Sequence, residues 1–162
     1  GLLDAGADPN IVSNNGHSPL FRAVFYGEQE SAELLMDHGA NVNQRADVTL
    51  AEALLAVTIA EVDDYKVVQQ LLVGIGMDSD LVPKNQSELN DAVTITDSPV
   101  VGSATPLYVA VVLDDAEVVR LLGRAGADPA YPAASGGATP IDAASLLGNQ
   151  ILADELSQIA GE

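Results

Sequence analysis

A short helix-pair pattern recurs along this chain and limits its fold more than any other feature. In the clearest copy, residues 104–128, Thr105 and Pro106 mark a helix start. The threonine hydroxyl can accept a hydrogen bond from a first-turn N–H, and proline has no N–H to leave unpaired. A second apolar helix face follows Asp115 and ends before Gly126, a residue suited to the left-handed conformation at a helix end. Two such short helices cannot bury both faces alone, so the pattern requires neighbouring copies.

Copies of both signals are present along the chain. Ser18, Thr105 and Thr139 are each followed by proline and an apolar residue, and each predicts a helix start. The helix-end signal, glycine followed by alanine and Asp or Asn, returns at Gly6 and Gly39. These signals recur with a period of about 33 residues, which predicts a stacked repeat protein.

A period near 33 residues with a Thr-Pro-Leu helix start and a Gly-Ala-Asp helix end resembles the ankyrin repeat. The resemblance covers almost the whole chain and implies two antiparallel helices and a projecting β-hairpin per repeat, stacked into an all-α solenoid. We therefore expect one ankyrin-repeat domain over 1–162 with one long insertion between repeats two and three. The expected parts are the tail of a truncated repeat (1–13), repeat one (14–45), an irregular repeat two (46–78), the insertion (79–101), repeat three (102–132) and a C-terminal capping repeat (133–162).

Repeat two is irregular because Gly76 follows Gly39 about one helical turn later than the period predicts. Thr49 and Glu52 form a capping-box pattern, so we place the extra residues in a first helix lengthened to roughly 50–62. The insertion contains a β-branched alternation over 92–97, which leaves a strand, an ordered arm and a mobile loop all open.

Equivalent positions of the second helices predict the core. The positions of Leu121 and Leu122 in repeat three correspond to Leu34 and Leu35 in repeat one. In repeat four the position of Leu121 holds Glu155, which indicates an outer face that meets water and hence a capping repeat.

The charge of the chain restricts its partners. The formal net charge is −18, with only 6 basic residues, so binding to nucleic acid or to an anionic membrane surface is disfavoured. This charge is typical of a solvated, highly soluble face, or else it steers a basic partner towards the chain. There are no cysteines and no apolar run of membrane-spanning length. Because the chain begins inside the tail of a repeat, we expect a fragment of a longer protein; the cytoplasm is the default compartment, and a secreted or periplasmic location stays open.

The residue types that could carry catalysis have simpler structural roles. Ser18 beside His17 is a helix cap, and His38 lies in a last helical turn, where a cation is favoured. The acidic pairs 63–64 and 114–115 occupy equivalent turns between helices and are typical of solvated turn residues. We expect no catalytic residue, no cofactor and no metal site, and hence a non-enzymatic protein.

The ankyrin resemblance places partner contacts at the hairpin tips and at the C-terminal end of each first helix. The corresponding residues of this sequence are Asn14, Asn15, His17, Phe25, Tyr26, Val62, Asp63, Val112, Leu113, Leu146 and Leu147. Seven of the eight helix positions in this set are apolar or aromatic, which favours an interface. We expect Phe25 and Tyr26 to be its hot spots.

Two interpretations of this apolar ridge are open. It is a groove for a partner, or it is covered internally by the preceding repeat and by segment 79–101. Together they give the hypothesis that the insertion lies over the groove and competes with a partner.

The expected function is a protein–protein interaction module that is monomeric and binds a protein or peptide, with acidic flanks that favour a basic partner. Two alternatives remain. The chain is an accessory ankyrin domain of a larger enzyme or secreted effector whose catalytic part lies outside it, or it is a structural spacer without a dedicated partner.

Overall fold

A computed structural model describes residues 4–14, 16–62, 64–78, 80, 82–85, 87–88, 91, 100–134 and 137–160 of the chain. Within these residues the protein has eight α-helices and two β-strands. In chain order they are α1 (Pro19–Phe25), α2 (Gln29–Asp37), β1 (Ala46–Thr49), α3 (Leu50–Ile59), α4 (Tyr65–Gly74), β2 (Val100–Ala104), α5 (Pro106–Val112), α6 (Ala116–Arg124), α7 (Pro140–Leu146) and α8 (Gln150–Ala160).

The predicted helix starts are confirmed. The hydroxyl oxygens of Ser18, Thr105 and Thr139 each accept a hydrogen bond from a first-turn N–H, at 3.1, 3.2 and 3.2 Å, and a proline follows each of them. At the start of α3, Thr49 and Glu52 form the reciprocal capping box. Local sequence therefore determines where these four helices begin.

Three helix pairs stack side by side. The first helices α1, α5 and α7 pack in that order, and the second helices α2, α6 and α8 pack behind them in the same order. The connecting loops form a ladder of side-chain hydrogen bonds: Asn10 Oδ1 accepts from the N–H of Asn41 at 2.6 Å, and Asn43 Oδ1 accepts from the N–H of Asp128 at 3.0 Å. The pair α1–α2 is thus in direct contact with the pair α5–α6.

The placement of residues 46–78 differs from the predicted second repeat. These residues form the helix pair α3–α4, but α1 packs directly on α5, so no place remains for another repeat between them. Strands β1 and β2 pair antiparallel with Ala46 opposite Ala104, and the chain leaves the stack after β1 and returns to it at β2. Helix α3 contacts α5 and α4 contacts α7, on the side of the stack formed by the first helices. Helix α3 also ends at Ile59, earlier than the predicted position near 62.

The core is centred on α5, in which all seven residues are buried. Helices α1 and α7 lie beside it, α6 lies behind it and α3 lies in front. The hydroxyl of Tyr108 on α5 donates to the carbonyl oxygen of Leu71 on α4 at 3.5 Å, and burial raises the pKa of this tyrosine. One core therefore extends from the first helices of the stack to the buried face of α3–α4.

The predicted core positions of the second helices are confirmed in part. Leu35 and Leu122 are buried, but Leu34 is 47% exposed because its position lies at the outer edge of α2. At the equivalent position of α8, Glu155 accepts a hydrogen bond from Arg120 Nη2 at 3.2 Å, and this bond raises the pKa of Arg120. The glutamate thus fits a polar edge shared with the neighbouring helix pair.

Most of the predicted insertion, including residues 92–97, lies outside the described residues. In its described part Val82 and Pro83 are buried, and Gln69 Nε2 on α4 donates to the carbonyl oxygen of Pro83 at 2.7 Å. This part therefore packs next to α4.

The stability of the stack is expected to depend on the charge of His38, the residue that follows α2. Its Nδ1 donates to the carbonyl oxygen of Leu34 at 2.9 Å and its Nε2 donates to Asp4 Oδ1 at 3.0 Å; these bonds raise the pKa of His38 in the folded chain. The stabilisation is fully present below the pKa that His38 has in the unfolded chain, and it is lost as the pH rises through the pKa of His38 in the folded chain. Thermal unfolding should therefore show a larger difference between wild type and His38→Gln at pH 5.5 than at pH 8.5. Asp4→Asn should reduce that pH dependence. An equal difference between wild type and His38→Gln at both pH values would contradict the stabilising role of the charged histidine.

Candidate protein-binding surface

The first-helix side of the stack is largely closed by α3–α4. An apolar cavity of about 40 Å³ is left between α3–α4 and the stack. Among the residues that line it are Ala53, Ala56 and Leu72 from α3–α4, and Phe25, Tyr108 and Val112 from the stack. This volume is far below that of a small-molecule pocket, so this part of the inner side is packed as core.

Close backbone contact holds α4 against the stack. The N–H of Ser103, next to Gly102, donates to the carbonyl oxygen of Ile75 at 2.8 Å. The N–H of Ala138, next to Gly137, donates to the carbonyl oxygen of Gly74 at 2.9 Å. A Cβ atom at position 102 or 137 would overlap those same carbonyl oxygens, and one at position 74 would lie 2.8 Å from a side-chain carbon of Ala138. The end of α4 therefore docks where glycine leaves room for a second backbone.

A cleft remains open at one edge of this interface, and we call it the edge cleft. It lies between the α3–α4 turn and the C-terminal ends of α5 and α7, and has a volume of about 280 Å³. Four residues of the predicted contact set line it: Val62, Val112, Leu146 and Leu147. The remaining lining residues are Ala60, Glu61, Asp64, Val67, Val111, Asp114 and Asn149. The fold thus brings together predicted contact residues from three separate helix pairs.

Three exposed carboxylates, Glu61, Asp64 and Asp114, belong to the edge cleft. Asp64 Oδ1 accepts from the N–H of Lys66 at 2.9 Å and so caps α4, and Asp114 Oδ1 accepts from Asn149 Nδ2 at 2.9 Å. Glu61 and Asp114 follow α3 and α5 with φ of 56° and 57°, so equivalent left-handed turns place both residues at the cleft. Apolar side chains and carboxylates therefore meet in one concave surface.

The two predicted hot spots differ in accessibility. Phe25 is 5% exposed and lines the cavity beneath α3–α4, whereas Tyr26 is 63% exposed. The two rings meet edge to face with centroids 5.2 Å apart. Both residues line a second concave surface, of about 360 Å³, together with His17 and Arg22. Only Tyr26 of the pair presents its ring to solvent.

The remaining predicted residues lie outside the edge cleft or are not described. Asn14 is exposed, and Leu113 is half-buried at the end of α5. His17 is half-buried; its Nε2 donates to the carbonyl oxygen of Asp47 at 2.6 Å, which ties the start of α1 to β1. Asn15 and Asp63 lie outside the described residues.

Sequence reasoning missed Glu61, Asp64, Val67 and Asp114 as cleft residues, because the repeat pattern assigns contacts only to fixed positions of each repeat and these four lie outside them. One signal for them is present in the sequence, where the acidic pairs 63–64 and 114–115 end equivalent helices. That equivalence places acidic turns in two helix pairs, but it does not show that the two turns face each other.

Neither a metal-binding cluster nor a membrane-spanning helix is found in the part of the chain that the structure describes. No group of three or more His, Asp or Glu side chains there is arranged to hold a metal ion. None of the helices described is both long and apolar enough to span a bilayer.

Comparison with known proteins identifies the stacked helix pairs. The family model of the ankyrin repeat matches residues 15–47 and 104–133, which contain α1–α2 and α5–α6. An ankyrin repeat-containing protein of Schizosaccharomyces pombe is 37% identical over 43 residues, which are 26% of this chain and 21% of that protein. An ankyrin repeat-containing protein of Treponema pallidum is 52% identical over 40 residues, 25% of this chain and 13% of that protein.

The cyclin-dependent kinase 4 inhibitor B of Rattus norvegicus is 45% identical over 49 residues, which are 30% of this chain and 37% of the inhibitor. This chain thus spans between 13% and 37% of the length of these three relatives. The matched stretches are about one repeat long, so the likeness applies to the repeat unit.

Proposed function

We propose that this chain, which matches the ankyrin repeat family over residues 15–47 and 104–133, binds a protein partner at the edge cleft, because ankyrin repeats are protein–protein interaction modules. In this proposal the chain acts as one module over 1–162, with α3–α4 as part of its binding surface. The module works by rigid contact and has no catalytic role.

The observation that carries the proposal is the meeting of predicted contact residues in one open cleft. Val62, Leu146 and Leu147 are half-buried, so each keeps apolar surface that a partner can cover. Helices α3–α4 cover Phe25, Tyr108 and Val109 on the first-helix side, so these residues are not free to contact a partner. A volume of about 280 Å³ is enough for one or two side chains of a protein partner.

The test is capture of the partner by variants of the cleft. Wild type and the double variant Val62→Ser/Leu147→Ser are immobilised and exposed to a lysate of the organism that encodes the chain. A protein retained by wild type is then purified, and its affinity is measured by calorimetry. We expect the double variant to bind it at least about tenfold more weakly, because buried apolar anchors supply most of the energy of an interface.

The matched control is Ile151→Ser on α8, a change of the same kind at a residue that is 74% exposed and does not line the edge cleft. It should bind the partner like wild type, and circular dichroism should show that all three proteins are folded. Equal affinities of the cleft variant and the control would refute the proposed site.

A further inference from the structure

The geometry of the edge cleft points to the chemistry of its occupant, and this inference rests on the function proposed above. We propose that the edge cleft binds a peptide segment of the partner in which a lysine or arginine stands beside an apolar residue. The aliphatic stem of the basic side chain lies on the apolar floor, and its charged head reaches the carboxylates of the rim.

The floor of the cleft fits the stem of such a side chain. Val67 comes from α4, and Leu146 and Leu147 come from the end of α7, so both walls of the cleft contribute apolar surface. These side chains are half-buried and pack against the core, which fixes their positions. A flexible lysine or arginine can adapt to this floor while its head stays in contact with water.

The rim of the cleft fits the head of such a side chain. Glu61, Asp64 and Asp114 all line the cleft, and none of its described lining residues is basic. Asp64 and Asp114 are each positioned by a hydrogen bond within the chain, so little ordering is needed when a cation binds. A phosphate or an acidic peptide would be repelled at the same place. Charge complementarity therefore selects a basic segment.

The probe is a fluorescein-labelled octapeptide of alternating leucine and arginine, followed by anisotropy at 25 and 150 mM NaCl. Its counterparts carry glutamate in place of arginine, or serine in place of leucine. The wild-type chain should bind the leucine–arginine peptide best, and its affinity should fall at the higher salt concentration because exposed charges are screened. Both counterparts should bind at least about tenfold more weakly, since each lacks one of the two contacts.

The cleft variant is Glu61→Gln/Asp64→Asn/Asp114→Asn. Asparagine is accepted both as a helix cap and in the left-handed region, so these changes remove charge and retain the turns. The control is Glu28→Gln/Glu30→Gln/Glu33→Gln at α2, which removes the same number of charges at residues that do not line the edge cleft. The cleft variant should bind the peptide about tenfold more weakly than wild type, as expected for three exposed ion pairs, and the control should lose less than twofold.

The inference would be overturned by equal losses in the two triple variants, which would indicate attraction by net charge alone, or by equal binding of the leucine–arginine and leucine–glutamate peptides. Failure of wild type to bind the leucine–arginine peptide at 25 mM NaCl would also overturn it. If Val62→Ser/Leu147→Ser still loses the natural partner in that case, the proposed function stands and only the chemistry of the occupant is wrong.

Discussion

Replacing Gly102 by alanine is expected to lower the free energy of unfolding by about 3 kcal/mol, the upper part of the usual range for overpacking. The added methyl group would overlap the carbonyl oxygen of Ile75, and backbone atoms cannot move aside as the end of a side chain can. The φ of Gly102 is not in the left-handed region, so the penalty comes from this overlap and not from a forbidden conformation. Chemical denaturation followed by circular dichroism measures the change.

A second measurement localises the effect. The N–H of Ser103 donates to the carbonyl oxygen of Ile75, and the overlap should lengthen this hydrogen bond. Hydrogen exchange at Ser103 should therefore become faster in Gly102→Ala, while exchange at Ala127, whose N–H donates to Leu122 within the stack, should change only as far as global stability does.

The matched control is Gly123→Ala on α6. A Cβ atom there would lie 2.9 Å from Cδ1 of Ile159, the movable end of a side chain, and alanine is a better helix former than glycine. Gly123→Ala should be as stable as wild type or more stable. If Gly102→Ala also proved as stable as wild type, α4 would not be docked against β2 as described.

The starts of the helices could be predicted from sequence because each is determined within a few residues. The caps at Ser18, Thr105 and Thr139 and the capping box at Thr49 need only a side-chain oxygen and a nearby N–H. The same locality explains why a repeat was predicted over residues 46–78: the apolar face of α4 and the glycine that follows it resemble those of a repeat. The likeness to the ankyrin repeat and the helical stack therefore follow from local patterns and their period.

The position of α3–α4 could not be predicted in this way. An apolar helix face indicates that a helix is buried, but it does not indicate against which partner. The choice between a place in the stack and a place across the inner side depends on long-range contacts, such as the pairing of β1 with β2 and the space above Gly102 and Gly137. The absence of a Thr-Pro pair near Thr49 and the long spacing from Gly39 to Gly76 are the sequence signals of this departure.

The same long-range contacts limit how much of the candidate site sequence could provide. The period places Val112, Leu146 and Leu147 at equivalent helix ends, and the stack brings these ends together. Glu61 and Asp64 reach the edge cleft only because α3–α4 folds across the inner side. Whether a partner contacts the predicted residues stays a prediction, and the fold decides which of them a partner can reach.

Phe25→Ala is expected to have the largest effect of any single change considered, a loss of about 3–5 kcal/mol in the free energy of unfolding, as for other buried phenylalanines. Its ring is 5% exposed and stacks on Phe21 with centroids 6.2 Å apart. Truncation would enlarge the cavity beneath α3–α4, which Phe25 already lines, and would remove contacts to both α3–α4 and the stack.

Tyr26→Ala is the neighbouring control, because this ring is 63% exposed and meets Phe25 only along one edge. It should cost less than about 1 kcal/mol of stability, in line with a single aromatic pair. The two variants together separate the roles that sequence assigns jointly to both rings: denaturation should identify Phe25 as part of the core, and affinity for the captured partner should decide whether Tyr26 is a contact. Near-wild-type stability of Phe25→Ala would mean that α3–α4 does not cover the inner side in solution, and the ridge would then be open along its whole length.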